Sequence, residues 1–235
     1  NAELQRRWTA VRREMAARNI DALVMQNASD WVGGTVRWFT DLPATNGYPR
    51  TVLFFADGTM TVVEMGPFGE RRQLAGKDAL HRGVQEHITS PSFVSIVYTQ
   101  GYDAGLAAEV LAKRGVRSVG FVGMNALPFS LVESVRSILP NRENTVEASD
   151  FIDPIKAVKS AEEIDLIRKT AATQDAAFAA VFREAKPGMH DHEIAIPICY
   201  ADMLWAASPK FEWTSLPGQV TVGYLNNVDS MYLAK

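Results

Sequence analysis

Histidines with acidic neighbours are the residue types most able to do chemistry in this chain. His190-Asp191-His192-Glu193 places two imidazoles and two carboxylates in four consecutive positions, the donor types that hold divalent metals. The same four residues suit the first turn of a helix, where acidic side chains lie at the positive end of the dipole. We read them as a solvated helix start. His81 and His87 fall in a polar stretch and read as surface histidines. Cys199, the one cysteine, has Ile196 and Ile198 beside it and no base close in sequence, so it reads as a packing residue. Gly33-Gly34 would suit a phosphate loop only between a strand and a helix in a full G-x-G-x-x-G pattern, which is missing, so it reads as a turn. Arg37, Trp38, Tyr48 and Arg50 form a more suggestive group. Arginine offers a planar fork for a carboxylate, and aromatic rings build pocket walls.

Elements that would position these residues are legible from periodicity. Leu4, Trp8, Val11 and Met15 recur at helical spacing, with arginines on the other faces. Ala22–Met25 reads as a short buried strand. Thr51–Phe55 and Thr59–Glu64 read as a hairpin around Asp57-Gly58. Phe93–Tyr98 is expected to be a strand, Asp103–Arg114 a helix capped by Gly115, Val116–Val122 a strand, and Leu127–Leu139 a helix closed by Pro140. Alternating strands and helices predict an α/β layer structure with a mixed sheet. Asp153-Pro154 is expected to interrupt any helix and mark a boundary between domains at 1–153 and 154–235. Ser160-Ala161-Glu162-Glu163 then forms a capping box. It opens a helix whose apolar stripe is Ile164, Ile167, Ala171, Phe178 and Phe182 and which Lys186-Pro187-Gly188 ends. A second amphipathic segment is expected from about Asp191 to Trp205, kinked at Pro197, and a β-like run at Gln219–Tyr224.

Bulk properties exclude several classes. With 47% hydrophobic and 22% charged residues the 235-residue chain has the composition of a folded globular protein rather than a disordered one. A net charge of −3 supplies no basic field for nucleic acid or an anionic membrane. No apolar run spans a bilayer. A single cysteine excludes an internal disulfide framework, and a soluble, cytoplasmic protein is expected.

The stretch from Ala157 to Phe178 (A-V-K-S-A-E-E-I-D-L-I-R-K-T-A-A-T-Q-D-A-A-F), with Lys186 to Ala195 (K-P-G-M-H-D-H-E-I-A), closely resembles the entry to the catalytic domain of the creatinase, prolidase and aminopeptidase P family. Arg12 to Met25 and Val36 to Asp41 resemble that family's N-terminal domain, and the Lys159–Arg168 segment is the most specific piece.

The resemblance implies a creatinase-like N-terminal domain, a mixed sheet flanked by helices, followed by the first helices of an α+β pita-bread domain. It implies a hydrolase of the Xaa-Pro peptidase type, acting on a small peptide or amide as a homodimer. Members of the family use two divalent ions (Mn, Co or Zn) held by two Asp, one His and two Glu. Two neighbouring ions can share a hydroxide nucleophile and polarise the scissile carbonyl. That ligand pattern is not found here: Asp229 is followed by Ser-Met-Tyr, so the metal ligands are expected beyond this sequence and the 235 residues alone are expected to be inactive. In dimeric members an N-terminal-domain loop reaches the partner's active site, and the Trp38–Arg50 loop stands at the matching position. This makes Arg37, Trp38, Tyr48 and Arg50, with Trp213 ahead of the first catalytic-domain strand, the candidate substrate contacts. Two alternatives remain open: a metal-free creatinase-like C–N hydrolase with a histidine base, and a pita-bread protein that has lost catalysis and binds partners. With part of the second domain outside the sequence, the Ile164–Phe182 stripe is expected to be exposed unless covered.

Overall fold

The structure, a computed structural model, describes residues 2–27, 34–42, 47–76, 78–190 and 193, and the backbone of 219–223 and 230–234. The chain divides into two compact units, Asn1–Val158 and Lys159–Lys235.

The first unit is a seven-stranded mixed sheet with helices on both faces. Its strands are β1 (Ala22–Asn27), β2 (Arg50–Phe55), β3 (Met60–Met65), β4 (Arg71–Gln73), β5 (Glu86–Ser90), β6 (Val119–Phe121) and β7 (Thr145–Glu147), in the order β4-β5-β3-β2-β1-β6-β7. The β1–β2, β2–β3 and β4–β5 pairs are antiparallel, whereas β1–β6, β3–β5 and β6–β7 are parallel. Successive strand residues point to opposite faces, so the apolar runs split cleanly. Leu23, Met25, Val52, Phe54, Met60 and Val62 enter one core with α1 (Ala2–Ala17), α2 (Thr35–Thr40) and α5 (Ser149–Ala157). Ala22, Val24, Leu53, Phe55, Val63 and Ile88 enter the other with α3 (Gln100–Lys113) and α4 (Phe129–Ser137). Burial on both faces is why these strands are apolar throughout instead of alternating.

Helix α1 buries the stripe expected of it: Leu4, Trp8, Val11 and Met15. The hairpin forms at Asp57-Gly58, with Gly58 at φ 103° and the Asp57 carboxylate accepting from the Thr59 amide at 3.0 Å. Gly115 adopts φ 66° behind α3, the left-handed position at which glycine carries no Cβ penalty.

Two expectations fail in this unit. Phe93–Tyr98 is not a strand: it is a turn leading into a short 3-10 segment at Val97–Thr99, with Ile96, Val97 and Tyr98 exposed. The Thr99 hydroxyl ties it down, accepting from the Phe93 amide at 2.9 Å. The place beside β3 is taken by the more polar Glu86–Ser90. Asp153-Pro154 does not break the chain either, because α5 runs through Pro154 from Ser149 to Ala157. Pro154 removes one amide donor from α5, and burial of Phe151 and Ile152 against α1 and the sheet outweighs that loss.

In the second unit α6 (Ala161–Glu184) opens with the capping box. The Glu163 amide donates to Ser160 Oγ at 3.1 Å and the Ser160 amide to Glu163 Oε2 at 2.8 Å. Thr173, Ala177 and Ala180 are its buried positions, while Ile167, Phe178 and Phe182 are exposed. The backbone of β8 (Gln219–Gly223) pairs antiparallel with β9 (Ser230–Ala234). The expected helix from Asp191 to Trp205, with Cys199, lies outside the described residues, as do His192 and Trp213. Among the described residues no helix is long and apolar enough to cross a membrane.

Candidate functional site

Period-two alternation brings three polar side chains to one face of the central strands. Arg50 and Glu64 share the face of Val52, Phe54, Met60 and Val62, and His87 lies opposite Ile88 in direction, on that same face. The β2–β3 register (Thr51 beside Val63) carried one step further places Arg50 beside Glu64. Arg50 Nε donates to Glu64 Oε2 at 2.5 Å. Glu64 Oε1 faces two imidazoles, His87 Nε2 at 2.7 Å and His81 Nε2 at 2.9 Å, and the rings lie 4.8 Å apart.

His81 comes from the connection between β4 and β5, which is fastened at several points. The Asp78 carboxylate accepts from the Leu80 and His81 amides at 3.0 and 2.7 Å and lies 3.2 Å from His81 Nδ1. Arg82 pairs with Asp41 at 3.0 Å, and Val84 enters the core. Gly83, at φ 74°, lies so close to Trp8 that an added Cβ would stand 2.4 Å from the ring. Trp8 is itself fixed, donating Nε1–H to the Phe39 carbonyl at 2.7 Å.

The charge pattern follows from burial. Burial pushes the Glu64 carboxyl up, but the hydrogen bonds from His81 and His87 and the charge of Arg50 outweigh it and hold the group far below the usual carboxylate range. His81 is raised, chiefly by its hydrogen bond to Glu64, against the opposing effect of burial. With Nε2–H donated to Glu64, His87 is left with Nδ1 buried and unpartnered among the described residues. Arg50 and Glu64 also line a pocket of about 90 Å³ with Tyr48, Pro49 and Met65.

The structure therefore joins two of the predicted substrate contacts, Tyr48 and Arg50, at one pocket. Trp38 is packed against the core, under the Arg7 guanidinium at 5.2 Å and edge-on to Phe39 at 5.1 Å. Arg37 sits half-buried in the last turn of α2. His190 is exposed and its amide donates to Glu193 Oε2 at 2.7 Å, as a helix start would have it. His81 and His87 are corrected: they are not surface histidines, His87 being 5% exposed. Missing the strand Glu86–Ser90 hid His87. The hairpin register could have paired Arg50 with Glu64 from sequence alone.

A second polar group lies on the opposite face. Asp103 is 1% exposed at the start of α3, and burial pushes its carboxyl up against the opposing pull of the Ser90 and Ser92 hydroxyls. Among the described residues neither carboxylate oxygen finds a well-formed hydrogen bond, and the hydroxyls pair with each other at 2.9 Å.

No protein-family model matches the chain. In sequence it is 28% identical over 200 residues to a hydrolase/peptidase of Sinorhizobium fredii, an alignment covering 82% of this chain and 48% of that protein. In structure it is similar to an X-Pro aminopeptidase from Thermotoga maritima (TM-score 0.58, 13% identity, 94% of this chain and 63% of that one). It is likewise similar to a prolidase from Pyrococcus horikoshii (TM-score 0.57, 17% identity, 83% of this chain and 48% of that one). The chain spans about half the length of the relatives it matches first. The mixed sheet flanked by helices is the fold the resemblance implied and one these solved structures share, and the sequence likeness to a hydrolase/peptidase agrees with that resemblance.

Proposed function

We propose that the chain is the N-terminal part of an Xaa-Pro peptidase, a hydrolase that cleaves small peptides with two divalent metal ions and works as a cytoplasmic homodimer. The observation that carries this is sequence likeness to a hydrolase/peptidase across 200 residues, running through both compact units, on the fold of a prolidase. Fold alone would not be enough, since one fold hosts many activities. In this reading 1–153 is the N-terminal domain and 154–235 the opening of the catalytic domain.

The described residues do not fit the two-ion centre. A pair of ions needs several shared carboxylate oxygens, and the Glu64 cluster offers a single carboxylate whose Oε2 is engaged by Arg50. In this reading the ligands for that centre come from outside the described residues. The chain's own contribution in this reading is the pocket of Tyr48, Pro49, Arg50, Glu64 and Met65, while Arg37, Trp38 and Trp213 are candidates for substrate contact by their residue types and the family resemblance alone. An aromatic wall and a guanidinium suit the ring and carboxylate of a proline-containing peptide.

The test is hydrolysis by the full-length protein of Xaa-Pro dipeptides and of matched dipeptides without proline, with and without chelator. Proline-selective, chelator-sensitive turnover is expected. Turnover of a creatine-type substrate that survives chelation would move the protein to the metal-free hydrolases. Inactivity on all of these, with tight capture of a protein partner, would make it a binding module.

A further inference from the structure

We propose that Glu64, His81 and His87 form a single-ion site for a borderline divalent cation, Zn²⁺ in preference to Mg²⁺ or Ca²⁺, through Glu64 Oε1, His81 Nε2 and His87 Nε2. The proposal does not depend on the peptidase reading. The three donor atoms lie within 4.8 Å of one another. One carboxylate oxygen and two imidazole nitrogens are a donor set that suits zinc and later transition metals, whereas magnesium and calcium take oxygen.

The surroundings are those of a built site. Asp78 lies on His81 Nδ1 at 3.2 Å and turns Nε2 inward, an arrangement that fixes ring orientation and raises ligand basicity. Arg50 occupies Glu64 Oε2, which keeps the carboxylate ionised and leaves Oε1 facing the two imidazoles. The two histidines come from a core strand and from a connection locked by Gly83 against Trp8, so little order has to be created on binding. His87 is 5% exposed, and its Nε2 has Glu64 Oε1 as its partner.

Geometry also states what must change. Zinc bonds of about 2.0–2.1 Å set donors about 3.3 Å apart in a tetrahedron. Here Oε1 lies 2.9 Å from His81 Nε2 and 2.7 Å from His87 Nε2, so the cluster must open by a few tenths of an ångström. His81 must give up the proton it now shares with Oε1, whereas His87 must move its shared proton to Nδ1, so binding releases a proton from His81 and weakens in acid. Three protein ligands leave at least one coordination position for water or a small ligand.

The experiment is calorimetric titration of Zn²⁺ and, separately, Mg²⁺ into the chelator-treated 235-residue chain, repeated in two buffers of different ionisation enthalpy to count protons. One Zn²⁺ per chain with proton release and no Mg²⁺ heat is expected, and Co²⁺ should give the visible absorption of a low-coordinate nitrogen/oxygen site. Glu64→Gln and His81→Gln should abolish binding. Asp78→Asn, which leaves all three ligands in place on a partly exposed turn, should weaken it about 10-fold. Absence of Zn²⁺ binding by the folded wild type overturns the proposal. So does binding that Asp78→Asn and His81→Gln leave unchanged, which would assign the ion to exposed groups such as His190.

Discussion

Replacing Glu64 by Gln keeps the shape of the side chain and removes its charge, so it isolates what the carboxylate does for Arg50, His81 and His87. The four side chains are nearly buried: 16% exposed for Glu64, 11% for Arg50, 15% for His81 and 7% for His87. Removing one partner of a fully buried charge pair costs about 3–5 kcal/mol. Gln retains one neutral acceptor and some water reaches the group, so about 2–3 kcal/mol is the expected penalty in metal-free protein. For a unit of this size that lowers Tm by about 5–10 °C. The pH dependence is the sharper test. Glu64 is depressed in the folded state, so its contribution is complete above the unfolded value of about 4.3 and is lost as pH falls below it. His81 is raised, so its contribution is complete below about 6.5 and is lost as pH climbs through its folded value. The Gln penalty should therefore peak between about pH 4.3 and 6.5 and shrink on both sides. Urea melts of both proteins in chelator, within that range and on both sides of it, measure it. A penalty under about 1 kcal/mol, flat with pH, would refute the ionised pairing of Glu64 with Arg50 and His81.

Other expectations follow from single contacts. Gly83→Ala should cost about 2–5 kcal/mol, from the positive φ and from the Trp8 ring 2.4 Å from the new Cβ. Adding Trp8→Phe should relieve part of it, so that urea melts show the double mutant at least about 1 kcal/mol better than the sum. Asp103→Asn should stabilise the chain by about 1 kcal/mol at neutral pH, because burial raises the Asp103 carboxyl and its charged form is the one the fold penalises. That gain should fade as pH drops toward the unfolded value of about 3.9, and a gain that grows in acid would contradict the assignment. Ser160→Ala should cost about 1 kcal/mol and speed amide exchange in the first turn of α6, since the Glu163 amide loses its acceptor.

What was legible in the sequence and what was not divide along a physical line. α1, the β2–β3 hairpin, Gly115 and the Ser160 box depend on contacts within a few residues, and local spacing reports such contacts faithfully. The strand Glu86–Ser90 was hidden because its side chains are chosen by partners far away in sequence: His87 answers Glu64, 23 residues upstream, and Ser90 sits with Ser92 near Asp103. Phe93–Tyr98 has the better strand composition, yet nothing in the sheet needs it. A polar strand inside a core is strained in composition unless its polar groups meet one another, so Glu86–Ser90 is itself a pointer to chemistry. The candidate site follows the same rule. Arginine and tyrosine at 48–50 drew notice by type, and the structure gave them a pocket. The histidines looked ordinary because their shared partner, Glu64, lies 17 and 23 residues upstream and only the folded sheet brings it to them. A fold can assemble such a group solely where the cost of burying each charge is met by its neighbours, and Glu64 between one guanidinium and two imidazoles satisfies that condition.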